Sequence, residues 1–519
     1  MTNDFKLRIL KQWERLQPGT PVVPGSVFWH NGLFLAIARG KMSPFGQTVR
    51  FLVMATQNRV SFPEGFEGML YEADGIRYML CPTTAPHAQA LREAVPSLRP
   101  VPLGTTSSFG FGDRLGNAGA AHLRALADSR PVFLPVLAQQ SIRELDRTAR
   151  QPEEVLDAAT WAVVEAGWRR GYGADADHLK TTEQASRMVQ AGYTFFTIDP
   201  SDHVDNRAAT MSEAELLQFF EDLPWGALKD SPESFRQRYE NRLFRLGPGR
   251  ELLIESAQML RAAVKYAGVL VHTRHMAVAL AELCGNRACE LELSVDETPH
   301  PTTPVEHFVI ASELRRLNVR LVSLAPRFCG HFQKGIDFRG SLDQFADEYL
   351  LHQAIAAASG GYKLSVHSGS DKFSVYERVG ALAEGEIHVK TAGTSYLEAI
   401  RAIALTEPVL FREIARRSVL HFDQDRKTYD ISAEAHDLQR AEELSDKELA
   451  SLLDDDMARQ VLHVTYGSVL QKKAQSSEPV LYDRIMQALD THPETYHRCL
   501  YRHFRRHIIP FEGRPAVSL

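Results

Sequence analysis

The run Cys289-Glu290-Leu291-Glu292-Leu293 alternates apolar and ionisable residues with a period of two, the pattern of a β-strand with two different faces. Four further runs repeat this alternation, at residues 176–180, 194–199, 363–367 and 387–390. Each run places a charged or imidazole side chain where the wall of a β-barrel would turn it inward. Because burying unpaired charge is costly, these converging acids, lysines and histidines predict a catalytic or binding site rather than a plain core.

The composition is that of an ordinary globular protein, with 519 residues, 44% of them hydrophobic and 24% charged, and a formal net charge of -6. Such a chain has no basic surface for nucleic acid, and it has no run of about 18 apolar residues that could span a bilayer. We therefore expect a cytoplasmic protein with a small-molecule substrate and no nucleic-acid or membrane partner, and we leave a homo-oligomer open. Because the five cysteines are odd in number and scattered, Cys284 and Cys289 are interpreted as reduced, buried side chains rather than zinc ligands.

From about residue 105 the sequence repeats a strand, a polar loop and an amphipathic helix, which is typical of a parallel sheet with crossover helices. Eight candidate strands can be counted, and eight strands close an α/β barrel of the (β/α)8 TIM type. The strands are predicted at residues 108–112, 132–137, 174–180, 193–199, 288–295, 319–324, 362–367 and 386–391.

Three additions are expected around this barrel, which is predicted to occupy residues 105–405. Residues 1–104 read as an N-terminal subdomain of short alternating strands. Residues 203–284, after the fourth strand, read as a helical insertion, with one helix starting at residue 250. Residues 406–519 read as a helical C-terminal extension, whose basic stretch at 496–507 is predicted to be a solvated helix face.

Three histidines fall at the carboxyl ends of predicted strands or in the loop that follows, where barrel enzymes build their sites. His178 lies near the end of the third strand, His331 follows the sixth, and His367 ends the seventh. Neutral imidazole is the commonest transition-metal ligand, and three protein ligands with one open position suit a catalytic ion. We predict that the three bind a divalent metal cation: zinc, manganese, nickel, cobalt or iron would suit. A hydrogen-bonded structural role is the alternative for each histidine alone.

Acidic residues accompany these histidines. Glu290 and Glu292 project from the same face of the fifth strand, with Glu292 nearer the active rim. We predict Glu292 as a catalytic acid or base, with Glu290 tuning it or binding substrate; a buried ion-pair network is the alternative. Asp177 adjoins His178 and is the candidate proton acceptor, although strict alternation would point it outward unless the strand bends.

Polar side chains on the same rim are candidates for binding an anionic substrate. Lys180 and Lys390 could hold a carboxylate or activate a carbonyl. The segment His367-Ser368-Gly369-Ser370-Asp371-Lys372 follows the seventh strand, where barrel enzymes often hold an anion, although a tight polar turn explains it equally well. Ser370 in that segment and Asp199 at the end of the fourth strand complete the predicted substrate-binding set.

Four longer stretches of the chain have a distinctive sequence: Ala176-Asp177-His178-Leu179-Lys180-Thr181-Thr182, Phe196-Thr197-Ile198-Asp199-Pro200-Ser201-Asp202-His203, Phe332-Gln333-Lys334-Gly335-Ile336-Asp337 and Ser365-Val366-His367-Ser368-Gly369-Ser370-Asp371-Lys372-Phe373. Together they resemble the tagaturonate epimerase family of hexuronate catabolism. The resemblance implies a metal-dependent barrel enzyme that interconverts D-tagaturonate and D-fructuronate. The insertion and the tail are expected to make this chain longer than a typical family member.

The resemblance also implies roles for individual residues. Asp177 would be the proton acceptor, and either Glu292 or Glu290 the proton donor. The implied metal ligands are the three histidines already singled out, His178, His331 and His367.

The two ketohexuronates differ at carbon 3, whereas the ketone is at carbon 5, so simple enolisation next to the ketone cannot exchange the inverted proton. We therefore predict retro-aldol cleavage between carbons 3 and 4, followed by aldol closure on the other face. Two other functions remain open: a metal-dependent isomerase or aldolase for another sugar acid, and a non-catalytic sugar-binding barrel whose inward charges form a structural network.

Overall fold

The computed structural model describes residues 3–41, 48–57, 61–382, 384–472 and 480–517. The first part of the chain forms an antiparallel sheet with strand order β1-β2-β3-β5-β4, flanked by two helices. The elements are α1 (Asn3–Leu16), β1 (Phe28–His30), β2 (Leu33–Lys41), β3 (Thr48–Gln57), β4 (Met69–Ala73), β5 (Ile76–Pro82) and α2 (Ala85–Ala94).

Strand alternation gives this sheet two apolar faces. Phe34 packs in one cluster with Trp13 of helix α1, whereas its neighbours Leu33 and Leu35 join the main hydrophobic core. The predicted β-rich N-terminal unit is confirmed, while its boundary at residue 104 stays a prediction.

Eight parallel strands close a barrel, in the order β12-β13-β14-β15-β6-β7-β8-β9, so the predicted TIM-type fold is confirmed. In chain order the strands are β6 (Ser108–Phe111), β7 (Leu134–Ser141), β8 (Gly173–Leu179), β9 (Phe195–Ile198), the inserted hairpin β10 (Arg242–Gly247) and β11 (Arg250–Ile254), then β12 (Glu290–Ser294), β13 (Ser323–Ala325), β14 (Lys363–Val366) and β15 (Ile387–Thr391).

Helices surround the barrel and continue beyond it. Up to the last strand they are α3 (Gly119–Ala127), α4 (Ile142–Thr148), α5 (Pro152–Ala166), α6 (Thr182–Ala191), α7 (Glu213–Glu221), α8 (Trp225–Leu228), α9 (Pro232–Tyr239), α10 (Ser256–Cys284), α11 (Pro304–Arg316), α12 (Leu342–Ala358) and α13 (Phe373–Leu382). After it come α14 (Thr394–Thr406), α15 (Pro408–Asp425), α16 (His436–Gln439), α17 (Asp456–Val464), α18 (Tyr466–Val469), α19 (Tyr482–Thr491) and α20 (Pro493–Ile508).

The register brings ionisable side chains into shared levels of the barrel interior. Glu292 of β12 lies opposite Thr197 of β9 and Ser323 of β13, and Glu290 lies opposite Phe195, one level nearer the amino ends of the strands. Leu291, between these glutamates, points the other way, into the hydrophobic layer under the helices. Period-two alternation therefore produces a polar interior inside an apolar wall.

The predicted helical insertion contains an element that the sequence pattern missed. Strands β10 and β11 pair as an antiparallel hairpin between helices α9 and α10. The helix predicted to begin at Arg250 therefore begins at Ser256, because residues 250–254 are hydrogen-bonded in the hairpin. Helix α10 packs on α6 and α11, so it serves as the barrel helix between β9 and β12.

The C-terminal extension packs on the barrel. Helix α20, predicted as a solvated face, buries Tyr496, Leu500 and Phe504 towards helices α3 and α14. Its exposed side is mainly basic. The extension also holds the loop after β14, because the Asp371 carboxylate accepts a hydrogen bond from Arg459 Nη2 at 2.8 Å.

The prediction that Cys284 and Cys289 are reduced is wrong, because a disulfide joins them. Cys284 ends helix α10 and Cys289 precedes β12, and the tight turn between them brings their Cα atoms to 6.6 Å, within bonding reach. In the described ranges, no helix has the length and apolar character needed to cross a membrane.

Buried neutral histidines predict that the fold loses stability in acid. Burial lowers the pKa of His122 and His352 to about 4 and that of His507 to about 3. Histidine in the unfolded chain has a pKa near 6.5, so below that pH the unfolded chain binds protons that these buried histidines do not bind. The free energy of unfolding therefore falls towards pH 4, by about 1.4 kcal/mol per pH unit for each histidine.

Urea unfolding at pH 7, 6 and 5 measures this slope, and a variant isolates one histidine. His122 lies between Phe111 and Phe504, with ring centroids 4.9 and 4.3 Å away, so His122→Phe keeps an aromatic ring in that space. We expect the variant to take up about one proton fewer on unfolding. An unchanged slope would contradict the assignment.

Candidate active site

One buried lysine organises the carboxyl end of the barrel. Lys390 of β15 places its Nζ 2.7 Å from Asp177 Oδ1, 2.7 Å from Glu292 Oε1 and 2.8 Å from Asp175 Oδ2. It also donates a hydrogen bond to Thr197 Oγ1 at 2.6 Å. Residues from β8, β9, β12 and β15 therefore meet at one ammonium group, which lies at the wall of the site rather than in an apolar core.

Charge neighbours set the protonation of this cluster. Burial disfavours the Lys390 cation, but Asp175, Asp177 and Glu292 outweigh it and hold the lysine pKa well above its usual range. Burial raises the pKa of Asp175 to about 7. Burial also opposes ionisation of Asp177, but His178 and Lys390 lower its pKa below the usual range. The cluster therefore combines an ionised carboxylate with one that can carry a proton near neutrality.

A break in β8 orients Asp177 and His178. The pairing of β8 with β9 shifts register between Ala176 and Leu179, and His178 has a φ of 55°, in the left-handed region that ordinary residues seldom adopt. Asp177 faces inward, like Asp175 two residues earlier, so the expectation that it points outward is wrong and the alternation breaks at His178 instead. The kink lets the adjacent imidazole face the site as well.

Two of the three predicted metal ligands come together. The rings of His178 and His367 lie 5.2 Å apart between centroids. His367 Nε2 lies 2.8 Å from Glu292 Oε1, and its Nδ1 lies 3.4 Å from Asp296 Oδ1. Carboxylates on an imidazole orient it for binding a metal.

The donor set around these imidazoles fits a divalent cation. Asp177, His178 and His367 each offer a ligand atom within 4.8 Å of the others, and so does a second group formed by His178, Asp199 and Glu297. His178 Nδ1 is moreover a buried nitrogen without a hydrogen-bond partner. A third buried group, around Asp371, is already occupied by Arg459 and does not adjoin this site.

His331, the third histidine of the predicted metal site, is not brought to the other two. It pairs with Arg339 in an isolated antiparallel bridge, and its side chain is 64% exposed. Its Nδ1 lies 3.7 Å from Asp430 Oδ2, and it belongs to none of the ligand groups found in the described residues. The short bridge holds its imidazole at the surface.

The two candidate glutamates, Glu290 and Glu292, lie towards opposite ends of the barrel interior. Glu292 is fully buried at the Lys390 cluster, whereas Glu290 accepts hydrogen bonds from the backbone N–H groups of Leu103 and Gly104. Leu103 and Gly104 precede β6, so Glu290 closes the amino end of the barrel, opposite the site. The structure therefore does not bring Glu290 to the other predicted site residues.

Most of the other predicted substrate-binding residues contact partners within the protein. Lys180 pairs with Asp202 at 3.0 Å, and Asp199 lies behind His178, with 3.7 Å between Oδ2 and Nδ1. Ser370 Oγ accepts from the N–H groups of residues 392 and 393, which ties two loops together. Lys390 alone of the predicted substrate-binding set lines the pocket over the cluster.

The segment 367–372 forms no anion site around its lysine. Lys372 is buried, and its ammonium donates to the carbonyl oxygens of Gln333, Ile336 and Ser370. It therefore holds the loop after β13 in place instead of facing a ligand.

A cavity of about 370 Å³ opens above His367, and a small pocket of about 50 Å³ continues it down to Asp177, His178 and Lys390. Sequence reasoning missed several charged and aromatic side chains that line this cavity: Arg143, Asp296, Glu297, Arg327, Lys334 and Tyr429. Asp296 and Glu297 could have been found, because they directly follow the fifth strand. Tyr429 belongs to the C-terminal extension, which no local pattern connects with the rim.

The fold and the site define the class of this protein as a TIM-barrel enzyme, with ionisable groups and candidate metal ligands at the carboxyl ends of its strands. The chain belongs to the tagaturonate epimerase family, whose family model matches residues 35–510. The resemblance drawn from the sequence is thereby confirmed, as is the prediction of an isomerase.

A tagaturonate/fructuronate epimerase from Thermotoga maritima is 40% identical over 457 residues, which cover 87% of this chain and 90% of that protein. The native crystal structure of the fructuronate-tagaturonate epimerase from Cohnella laeviribosi is 35% identical, has a TM-score of 0.86, and covers 97% of this chain and 99% of that one. A complex of the same enzyme with two glycerol molecules is 34% identical, with a TM-score of 0.87 and coverage of 98% and 99%. The expectation of an unusually long chain is therefore wrong, since the insertion and the tail belong to the shared fold.

Proposed function

We propose that this protein is a metal-dependent epimerase that interconverts D-tagaturonate and D-fructuronate. The observation that carries the proposal is the Lys390 ammonium, 2.7 Å from both Asp177 and Glu292, beside His178 and His367 under an open cavity. Two carboxylates linked through one cation are suited to moving a proton between two sides of a substrate. The same pair of hexuronates appears in the name of the Thermotoga maritima relative.

His178 and His367 are the residues that would hold the cation, with oxygen donors from the carboxylates around them. A divalent cation there supplies positive charge that polarises the substrate ketone. Zinc, manganese, nickel, cobalt and iron all accept this mixture of nitrogen and oxygen ligands. Glu292, in contact with His367 Nε2, would fix the orientation of that ring.

Epimerisation at carbon 3 by cleavage requires one group to accept a proton and another to return it. Asp177 accepts the proton of the carbon 3 hydroxyl while the bond between carbons 3 and 4 breaks. The electron pair of that bond passes to carbon 4 and is delocalised over the carbon 5 ketone. The aldehyde fragment turns, carbon 4 attacks its other face, and the new alkoxide at carbon 3 takes up a proton.

Lys390 is the proposed proton donor and lies next to the acceptor Asp177. The alkoxide forms on the side opposite to the original hydroxyl, so the returning proton must come from a different group. Glu292 has no exposed surface and does not line the pocket, whereas Lys390 does. Lys390 therefore delivers the proton and takes back the one held by Asp177, whose Oδ1 lies 2.7 Å from its Nζ, while Glu292 stabilises the ammonium from the buried side.

The experiment is an assay on purified protein with each ketohexuronate, followed by NMR. We expect D-tagaturonate and D-fructuronate to reach the same mixture from either side. Labelled dihydroxyacetone, the three-carbon fragment expected from cleavage, is added to the reaction. Its label should appear in the hexuronate. Turnover of a different sugar acid alone would reassign the enzyme, and uptake of oxygen from labelled water at carbon 3 would point to dehydration instead of cleavage.

A further inference from the structure

We infer that Lys334 and Arg327 bind the carboxylate of the substrate, an inference that rests on the proposed function. Both residues follow β13, in the loop between β13 and α12, and both line the cavity above His367. Neither was a candidate from the sequence, where Lys180 and Lys390 were the expected carboxylate-binding residues.

Those two lysines are already neutralised. Lys390 contacts three carboxylates within 2.8 Å, and Lys180 pairs with Asp202 and lies within 3.9 Å of Asp199. An incoming carboxylate at either lysine would have to displace an existing acidic partner or lie against it. Repulsion from these acids makes both positions unfavourable for an anion.

The carboxylates that line the cavity contact residues other than Lys334 and Arg327. Each of its carboxylates has a basic partner: Glu297 pairs with Arg143 at 2.9 Å, and Asp296 faces His367 at 3.4 Å. The third carboxylate, Asp430, lies 3.7 Å from the His331 imidazole.

In contrast, no carboxylate of the described residues lies within ion-pair distance of Lys334 or Arg327. Two positive charges therefore remain free to attract an anion in this cavity.

Both side chains are positioned before a ligand arrives. Lys334 Nζ donates to Ser368 Oγ at 2.6 Å, directly after the proposed ligand His367. The Lys372 ammonium holds the backbone on either side of Lys334 through the carbonyls of Gln333 and Ile336.

Arg327 is held more loosely but keeps free donors. Its Nε is buried without a hydrogen-bond partner, and its Nη1 makes one long contact of 3.5 Å to the Asp296 carbonyl. A carboxylate between a pre-oriented ammonium and an unsatisfied guanidinium gains strong, charge-assisted hydrogen bonds.

The arrangement also orients the substrate. Lys334 lines both the cavity and the deeper pocket, whereas Arg327 lines only the outer cavity. The carboxylate would lie outward, and the chain of hydroxyls would run down towards Asp177. The fragment that becomes an aldehyde carries the carboxylate, so these cations would keep it in the site while it turns.

The test compares Lys334→Gln and Arg327→Gln on charged and neutral substrates. We expect KM for both hexuronates to rise at least about 10-fold in each variant, with kcat changed less, because a hydrogen bond to a charged group is lost. D-tagatose and D-fructose, which carry a hydroxymethyl group in place of the carboxylate, should show less than a 2-fold change. Lys334→Arg should recover most of the loss.

Lys180→Gln is the matched control, since it removes a rim lysine whose charge Asp202 already neutralises. A loss in Lys180→Gln but not in Lys334→Gln, or equal losses with acid and neutral sugars, would overturn the inference. If the wild type turns over neither hexuronate, the proposed function fails separately. Calorimetry with D-galacturonate then decides: weaker binding to both variants supports the inference, and unchanged or undetectable binding to wild type and variants overturns it.

Discussion

Lys390→Met is expected to lower kcat by roughly 10²- to 10⁴-fold, the contribution usual for general acid–base catalysis. The methionine fills similar space but leaves Asp175, Asp177 and Glu292 around an apolar group. Breaking a buried ion pair of this kind also costs about 3–5 kcal/mol of stability. The three carboxylates would take up protons to relieve their repulsion, so Asp177 would no longer be available as a base.

Lys265→Met separates the catalytic effect from the loss of stability. Lys265 is another buried lysine, whose ammonium contacts both Glu306 carboxylate oxygens at 3.1 Å, outside the barrel interior. Its replacement should destabilise the protein to a similar extent while the folded fraction keeps its turnover. Denaturant unfolding and steady-state kinetics on both variants provide the comparison. Equal loss of turnover per folded molecule in the two variants would show that Lys390 has only a structural role.

His178→Asn and His367→Asn are expected to empty the proposed metal site. We expect elemental analysis to find about one divalent ion per chain in the wild type and much less than one in either variant. Turnover should fall by roughly 10²-fold or more, since a catalytic ion stabilises charge by several kcal/mol. Treatment of the wild type with a chelator should have the same effect, and adding the ion back should restore activity.

His331→Asn decides between the two ligand sets. Its imidazole is 64% exposed and outside the cluster, so the variant should keep its metal content and most of its activity. Loss of the ion in His331→Asn would instead support the three-histidine site implied by the family resemblance. Metal content is the measurement that matters, because it does not depend on which sugar acid is the substrate.

Sequence periodicity predicted the barrel because it is a local property. The alternation of Glu290, Leu291 and Glu292 identifies a face of a strand whatever the strand pairs with. The same rule failed at His178, where a register shift and a left-handed backbone break the alternation. Such a break depends on how β8 meets β9, which no residue pattern within β8 reveals.

The residues beyond the strands illustrate a second limit. Lys334, Arg327 and Tyr429 lie in loops or in the C-terminal extension, where no period constrains which way a side chain points. Their place in the cavity became visible only in the tertiary structure. The same structure shows which basic residues the carboxylates of the cavity contact. The hairpin β10–β11 was missed for a related reason, since its pairing overrides the helical pattern that begins at Arg250.

By itself the sequence determined the (β/α)8 barrel, the family, and the inward-facing Glu292, His367 and Lys390. Alternation and motif spacing are local properties that can be read without knowing which strands pair. Tertiary structure alone decided that Lys390 joins three carboxylates, that His331 stays at the surface, and that two cations in the cavity lack acidic partners. The physical reason is that electrostatic and coordination energies depend on distances of a few ångströms between residues far apart in sequence.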